Sequence, residues 1–463
     1  MIKAGIISLG CARNLCDSEV IAGSLKREGL EISDVEKGVD VCVVNTCAFI
    51  GSAREESVEV ILEASRLKRE GRIKRLVVCG CLPQLYRDSI KKSLPEVDLF
   101  LGAGDFPHLA RILKTLKTGK NISKISRVPG FLYDDKSPRL LLTSPHYAYV
   151  KIQEGCSNAC SYCIISRLRG PFRSRDTASI IEEVRKISRS GVVKEINIIG
   201  QDTTLFGYDR NKRLELAGLL KALCRLRTGV EWIRVLYTHP AHYTDDLVSV
   251  ISDEEKLCKY LDLPIQHISD RILWAMNRYV TRDDISRLIE RLRHRIPELT
   301  LRTSVIVGFP GETDAEFKEL LKFLRETGFE RLGAFIYSRE EGTRAAGMRP
   351  QVPERVKRER LDRLMKLQQR ISLEKNMRLI GKTVKVLIDS KNESLDRAQD
   401  SCRAKPRHAQ RTTHNESIGR MQGDAPDVDG VVYVMGKPVV KIGAFYNVRI
   451  TSAMEYDLVG KAV

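Results

Sequence analysis

Apolar runs that read as strands alternate with amphipathic stretches that read as helices along most of this chain. That alternation limits the fold more than any other feature. In the first hundred residues it occurs three times: "AGIISLGC" then "DSEVIAGSLKREG", "VDVCVVNTC" then "AREESVEVILEASRLKREG", and "IKRLVVCGC" then "PQLYRDSIKKSL". Each apolar run ends in a cysteine: Cys11, Cys47 or Cys81. The near-equal intervals resemble a solenoid repeat. However, strand, crossover helix and parallel strand is the unit that buries such runs on both faces, so a parallel sheet is expected. In open sheets of this kind all strands point one way, and ligands bind beyond their carboxyl ends. Three thiols remote in sequence are thereby predicted to share one edge.

A Pro- and Lys-containing stretch, "VPGFLYDDKSPRLLLTSP", reads as a linker, after which the alternation resumes. Strand candidates are "YAYVKIQ", "EINIIG", "WIRVLY", "YLDLPI", "TSVIVGF" and "RLGAFIY". Six β/α units in one run fit a barrel or an incomplete barrel, whose chemistry lies in the loops after the strands. The loop after the first of these strands carries "EGCSNACSYC", with Cys156, Cys160 and Cys163. A structural zinc would want a fourth Cys or His at comparable spacing, and His146 begins the strand, at the wrong end. Thiolates also suit an iron–sulfur cluster, where three cysteines leave one iron open to an outside ligand.

Composition bounds the rest. A chain of 463 residues has room for two or three cores. It has no apolar run of bilayer length, and its start, "MIKAGIISLG", lacks the features of an export signal, so a soluble cytoplasmic protein without membrane contact is expected. There the 12 cysteines would be free thiols or ligands. Cys42 and Cys79 inside apolar runs, and Cys224 and Cys258 in stretches read as helical, are expected to pack as core thiols, and Cys16 to be structural. The formal charge of +18 suits a phosphate-rich partner but fits a solvated basic face equally well.

With these residues in view, "CSNACSYC" resembles the signature of the radical S-adenosylmethionine (SAM) superfamily, in which the open iron is chelated by SAM and the aromatic before the last cysteine, here Tyr162, lies beside the adenine. "SLGCARNLCDSE", "VVNTCAFI" and "VCGCLPQ" ahead of such a barrel resemble the methylthiotransferases. That resemblance implies a second 4Fe-4S cluster on Cys11, Cys47 and Cys81, and so two clusters per chain. It also implies that an electron reaching the first cluster cleaves SAM reductively, and that a carbon radical on the substrate receives methylated sulfur. The implied architecture is an α/β chain in three parts. Residues 1–125 form a Rossmann-like parallel-sheet domain and 126–144 a linker. Residues 145–375 form a radical SAM partial (β/α)6 TIM-like barrel, and 376–463 a small antiparallel TRAM barrel of the OB type.

Further residues follow from the same likeness. Gly200, Gln201 and Asp202 are expected where relatives bind the amino and ribose groups of SAM. Ile306 and Gly308 are placed on the fifth strand near the adenine, and Tyr337 and Ser338 at the end of the sixth. Glycines at these positions serve turns equally well. Gln266 and His267 are placed at the end of the fourth strand, facing substrate or serving as wall. No catalytic residue is assigned outside the cluster ligands.

Two branches of the family compete. One modifies a tRNA adenosine beside the anticodon, the other an aspartate β-carbon of small-ribosomal-subunit protein twelve. "LPIQHIS", "GQDTTLFGYD", "SREEGT" and "APDVDGVVYV" resemble the protein-modifying branch, while "YTHP" leans to the other. From residue 376 onward there are 14 Lys and Arg against 10 Asp and Glu, a weak basic excess for a module devoted to RNA. The expected partners are therefore that ribosomal protein or the small subunit, with an electron donor such as flavodoxin or ferredoxin; direct RNA contact is left open. The polar segment 390–420 departs from the family's pattern and reads as a loop, with Cys402 an incidental exposed thiol. A zinc-containing RNA-binding protein and a radical SAM enzyme with a single cluster are the rival readings.

Overall fold

The computed structural model describes residues 1–115, 121–391, 416–436 and 440–463. Its first sheet is built from β1 (Lys3–Ser8), β2 (Glu31–Ile32), β3 (Val39–Thr46), β4 (Ile73–Gly80), β5 (Leu99–Gly102) and β6 (Ile122–Lys124). All are parallel, in the order β2-β1-β3-β4-β5-β6. Seven of the eight residues of β3 are buried, as a strand covered by helices on both faces requires. The chain leaves β1 in opposite directions on its two sides, so a crevice opens between β1 and β3. Cys11 and Cys47 follow those two strands and Cys81 follows β4. The strands β2, β5 and β6 were not expected, because two to four residues are too few to show a period.

The second sheet takes β7 (Tyr147–Lys151), β10 (Glu195–Ile199), β11 (Trp232–Val235), β12 (Leu257–Asp262), β13 (Thr300–Val307) and β14 (Arg331–Ile336). A short ribbon of β8 (Gln153–Glu154) and β9 (Arg173–Ser174) lies between the first two. These six parallel strands pair in sequential order and β7 does not meet β14, so the barrel is open, as expected. One correction concerns its fourth strand. It was expected to run to Gln266 and His267, but the continuous strand ends at Asp262, before Pro264, which has no N–H to give the ladder; beyond it Gln266 alone pairs again, parallel, with Val305 of β13. The same strand begins at Leu257, which puts Cys258 in a strand and not a helix.

The third part is a closed barrel of β15 (Thr383–Lys391), β16 (Glu416–Met421), β17 (Val432–Met435), β18 (Phe445–Ala453) and β19 (Leu458–Ala462), in the order β15-β16-β17-β19-β18. It is antiparallel except between β17 and β19. The end of the 390–420 segment read as loop forms β16; residues 392–415, Cys402 among them, lie outside the described residues. Two boundaries shift in meaning. Residues 126–144 contain no helix or strand, yet they are wedged between parts: Tyr133 is buried, and Arg139 bridges Glu19 of the first part and Glu183 of the second. The division at 375/376 falls in the last turn of a helix, Glu354–Met377, that packs on β14.

The small barrel sits on the amino ends of the second sheet's strands. Tyr147, first residue of β7, donates to Asp427 (3.1 Å), and Tyr260 of β12 to Asp429 (2.7 Å). Glu195, first residue of β10, accepts from Arg234 Nε (2.9 Å) and from Arg420 Nη2 of the small barrel (2.8 Å), with all three side chains buried. Trp232 meets Phe445 edge to face at 4.7 Å. Phe445→Leu removes that ring pair at similar volume and will lower stability by about 1 kcal/mol, read as a small drop in the thermal midpoint of the whole chain. The carboxyl ends of the strands are thus left for chemistry.

Candidate active site

Three of the six cysteines are presented by one backbone device. Cys11, Cys81 and Cys156 each follow a glycine at positive φ: Gly10 (+86°), Gly80 (+96°) and Gly155 (+79°). A side chain would also collide there: a Cβ on Gly10 would lie 2.9 Å from Cys47 Sγ, and one on Gly155 only 2.0 Å from Pro171 O. Cys47 is anchored through Ser57, whose Oγ accepts from Cys47 N (3.1 Å) and donates to Cys47 O (2.8 Å).

The loop of Cys156, Cys160 and Cys163 is clasped by two other strand-end segments. Ser161 N donates to Met276 O (3.0 Å) and Ser161 Oγ to Ala275 O (2.8 Å), while Asn277 Nδ2 donates to Ala159 O (3.0 Å). From beyond the sixth strand, Ala345 N donates to Ser161 O (2.8 Å). All six cysteines are free thiols. Burial pushes Cys156 up to about 11 and Cys47 and Cys163 up to about 12, and it also raises Cys81. At Cys11 burial acts the same way, but the charges of Arg13 and Arg169 outweigh it and lower the thiol below its ordinary value.

Arginines reach both thiol sets. Arg13, two residues after Cys11, donates from Nη1 to Gly200 O (2.8 Å) at the end of β10, stacks over Tyr237 at 4.4 Å, and acts on Cys11 through its charge. Its charge also acts on Cys156 and Cys163, so it lies between the two sets. The charge of Arg169 acts on Cys81, and Arg278 donates from Nη2 to Pro264 O (2.5 Å). Arg169 is fixed by Asp17 and Asn14 in a buried network in which Lys151 Nζ also donates to Asp17 (2.6 Å) and Glu154 (2.5 Å). At the far edge Glu340, buried after the sixth strand, accepts from Gly51 N (3.1 Å), Arg54 and Ser338 Oγ (2.5 Å). None of these charged groups was found from sequence, since pairings hundreds of residues apart leave no local signal.

The remaining expected residues fall as follows. Tyr162, Ile306 and Tyr337 join one apolar cluster with Ile272, Met276 and Phe309. Gly308 and Ser338 lie just past their strands, and Gly308 has φ +73° with Lys357 packed where a Cβ would be. Gln201 Nε2 donates to Glu154 (2.6 Å). Asp202 accepts from Asn158 of the cysteine loop (2.7 Å), from Thr204 (2.5 Å) and from His242 Nδ1 (3.0 Å); burial opposes its ionisation, but these bonds hold it at about 2. Gln266 is partly exposed with φ +69°. His267 is fully enclosed, its Nδ1 accepting from Ser269 N (3.0 Å) and its Nε2 buried without a hydrogen-bond partner, 3.8 Å from Glu312 Oε1.

Two observations test what the site can hold. Among the described residues only Asp202, His239 and His242 bring three ligand atoms within 4.8 Å of one another. Neither thiol trio is therefore drawn in to the sulfur separations of about 3.8 Å that a tetrahedral zinc with bonds of about 2.3 Å requires. A wider set suits a multi-iron cluster. Second, the buried amide atoms of Gln153 and Asn197 and Gln201 Oε1 lack partners. Asn197 shares the concave face of β10 with Glu195, so these groups fit a bound polar molecule such as SAM.

Comparison with known proteins agrees with this geometry. The radical SAM superfamily matches residues 150–324, the Uncharacterized protein family UPF0004 residues 3–102, and the TRAM domain residues 409–463. Ribosomal protein uS12 methylthiotransferase RimO of Syntrophotalea carbinolica is 46% identical over 100% of this chain and 97% of its own length. The protein of the same name from Geobacter sulfurreducens is 44% identical over 100% and 98%. Among solved structures, the radical SAM methyltransferase TsrM of Kitasatospora setae aligns with a TM-score of 0.53 at 14% identity, over 72% of this chain and 73% of its own, a likeness of fold. No helix among the described residues is long and apolar enough to cross a membrane. With full-length identity at this level and the cysteine sets in place, the chain belongs to the RimO family of radical SAM methylthiotransferases.

Proposed function

We propose that this enzyme adds a methylthio group to the β-carbon of an aspartate of ribosomal protein uS12, using two 4Fe-4S clusters and SAM. One cluster would be held by Cys156, Cys160 and Cys163 and the other by Cys11, Cys47 and Cys81. The observation that carries this reading is the presence of two separate sets of three free thiols at facing strand ends, with Arg13 between them. When bound, such clusters supply the electron that cleaves SAM and an open iron from which sulfur is delivered.

The chain's own residues bind and orient. Tyr162, Ile306 and Tyr337 offer an apolar seat for the adenine, and the Gly200–Asp202 edge offers a carboxylate and open amides to the polar end of SAM. The charges of Arg13 and Arg169 favour the thiolate form of Cys11, and that of Arg169 opposes the effect of burial at Cys81. The N-terminal part, latched at Glu340 and Asp17, closes over the barrel mouth and limits access of water.

The test is methylthiolation by anaerobically reconstituted enzyme supplied with SAM and a reductant, with purified uS12 and bulk tRNA offered in parallel and both products read by mass spectrometry. The methylthio group is expected on a uS12 aspartate; its appearance on tRNA adenosine alone would overturn the substrate and leave the reaction class standing.

A further inference from the structure

The turn that clasps the cysteine loop carries two aromatic side chains that none of the described residues covers. Trp274 is 73% exposed and Tyr279 67% exposed, and their rings meet edge to face at 6.1 Å. Tryptophan is on average among the more buried residues, and exposed aromatic pairs are enriched at the centres of protein interfaces. The backbone is bent to present them. Asn277 and Tyr279 both lie at positive φ, +62° and +50°, which is unusual for a residue as bulky as tyrosine.

The bend separates neighbours in sequence. Arg278 points inward, 5% exposed, and donates from Nη2 to Pro264 O (2.5 Å), while Tyr279 beside it faces out. The cysteine loop reaches the surface at the same place: Ala159, whose carbonyl is held by Asn277, is exposed. The second clasp, at Ala345, is flanked by Arg344 and Arg349, both exposed and without an ion-pair partner among the described residues. The apolar pair and the cationic flank thus lie on the two segments that hold Ser161, the residue after Cys160.

We propose that Trp274 and Tyr279, flanked by Arg344 and Arg349, form the docking surface for a small acidic one-electron carrier protein that reduces the site built on Cys156, Cys160 and Cys163. The proposal rests on the radical SAM reading above and adds the place where the electron enters. Each SAM cleaved takes one electron: the sulfonium is reduced, its bond to the ribose C5′ carbon breaks, methionine leaves, the unpaired electron stays on C5′ as the 5′-deoxyadenosyl radical, and the carrier is oxidised by one electron. The unpaired arginines complement an acidic carrier, and the net charge of +18 favours its approach at low salt. A ribosomal protein, itself basic where it binds RNA, is a poorer match to such a rim.

The experiment compares SAM cleavage driven by reduced flavodoxin with cleavage driven by dithionite, which needs no docking, in reconstituted full-length Trp274→Ala and Arg344→Glu/Arg349→Glu proteins. The flavodoxin concentration for half-maximal rate is expected to rise about tenfold or more in each variant, with dithionite-driven cleavage unchanged. Unchanged flavodoxin dependence in both variants overturns the proposal. So does an equal fall with both reductants, which would make the patch structural, or a raised KM for uS12 under dithionite, which would make it a substrate surface. Absence of cleavage by the parent enzyme with dithionite would instead bring down the radical SAM reading, and this surface with it.

Discussion

Cys163→Ala protein, rebuilt without oxygen from iron and sulfide, will bind about half the iron of the parent and cleave no SAM. Cys47→Ala protein will also bind about half, yet will still cleave SAM to 5′-deoxyadenosine while transferring no methylthio group. The contrast follows from geometry. The two thiol sets come from different sheets and share no ligand, so loss of one leaves the other intact. Among the described residues no spare thiol stands in either: Cys16, Cys42, Cys79, Cys224 and Cys258 are all buried in packed cores. Iron and acid-labile sulfide per chain, with deoxyadenosine by chromatography, give the answer. Iron content in Cys47→Ala equal to that of the parent would sink the two-site reading.

Asp17→Leu will lower the stability of the folded chain by about 3–5 kcal/mol, a larger loss than any exposed ion pair gives. Asp17 is 3% exposed and accepts from both Lys151 Nζ and Arg169 Nη1, so its removal leaves two buried cations sharing Glu154. Burial alone would raise the Glu154 carboxyl, but Lys151 and Arg169 hold it down at about 2 against an ordinary 4.5. A carboxylate depressed in the folded state stabilises above its unfolded value and loses that contribution as pH falls through the folded one. The parent should therefore weaken between about pH 4.5 and pH 2. The charge of Arg169 also acts on Cys81, so iron at the N-terminal site should be lost first on mild urea treatment of Asp17→Leu. An unfolding midpoint indistinguishable from the parent's would show the network to be dispensable.

What could be read from the sequence was whatever depends on neighbours along the chain. Cys11, Cys47 and Cys81 could be placed together because each closes an apolar run, and parallel strands deliver their carboxyl ends to one edge. The end of the fourth strand was misread although its signal was present, for Pro264 interrupts "YLDLPI" two residues after Asp262. Other features had no local trace. Glu195, Arg234 and Arg420 look like ordinary charges of strands, and their meeting in a dry interior is set only when the small barrel docks. Trp274 lies in a run with Ile272 and Leu273, both fully buried, and periodicity alone would have counted it in the core.

The seat of the small barrel limits what can be exchanged between relatives. Arg420, Asp424, Asp427 and Asp429 of that barrel each have a matching group at the base of the larger one, in Glu195, Arg331, Tyr147 and Tyr260 respectively. A chimaera that imports a foreign C-terminal module without those four acids and bases would strand ionised side chains in an oily seam. Recombination in this family is therefore expected to keep the joint and vary the rim.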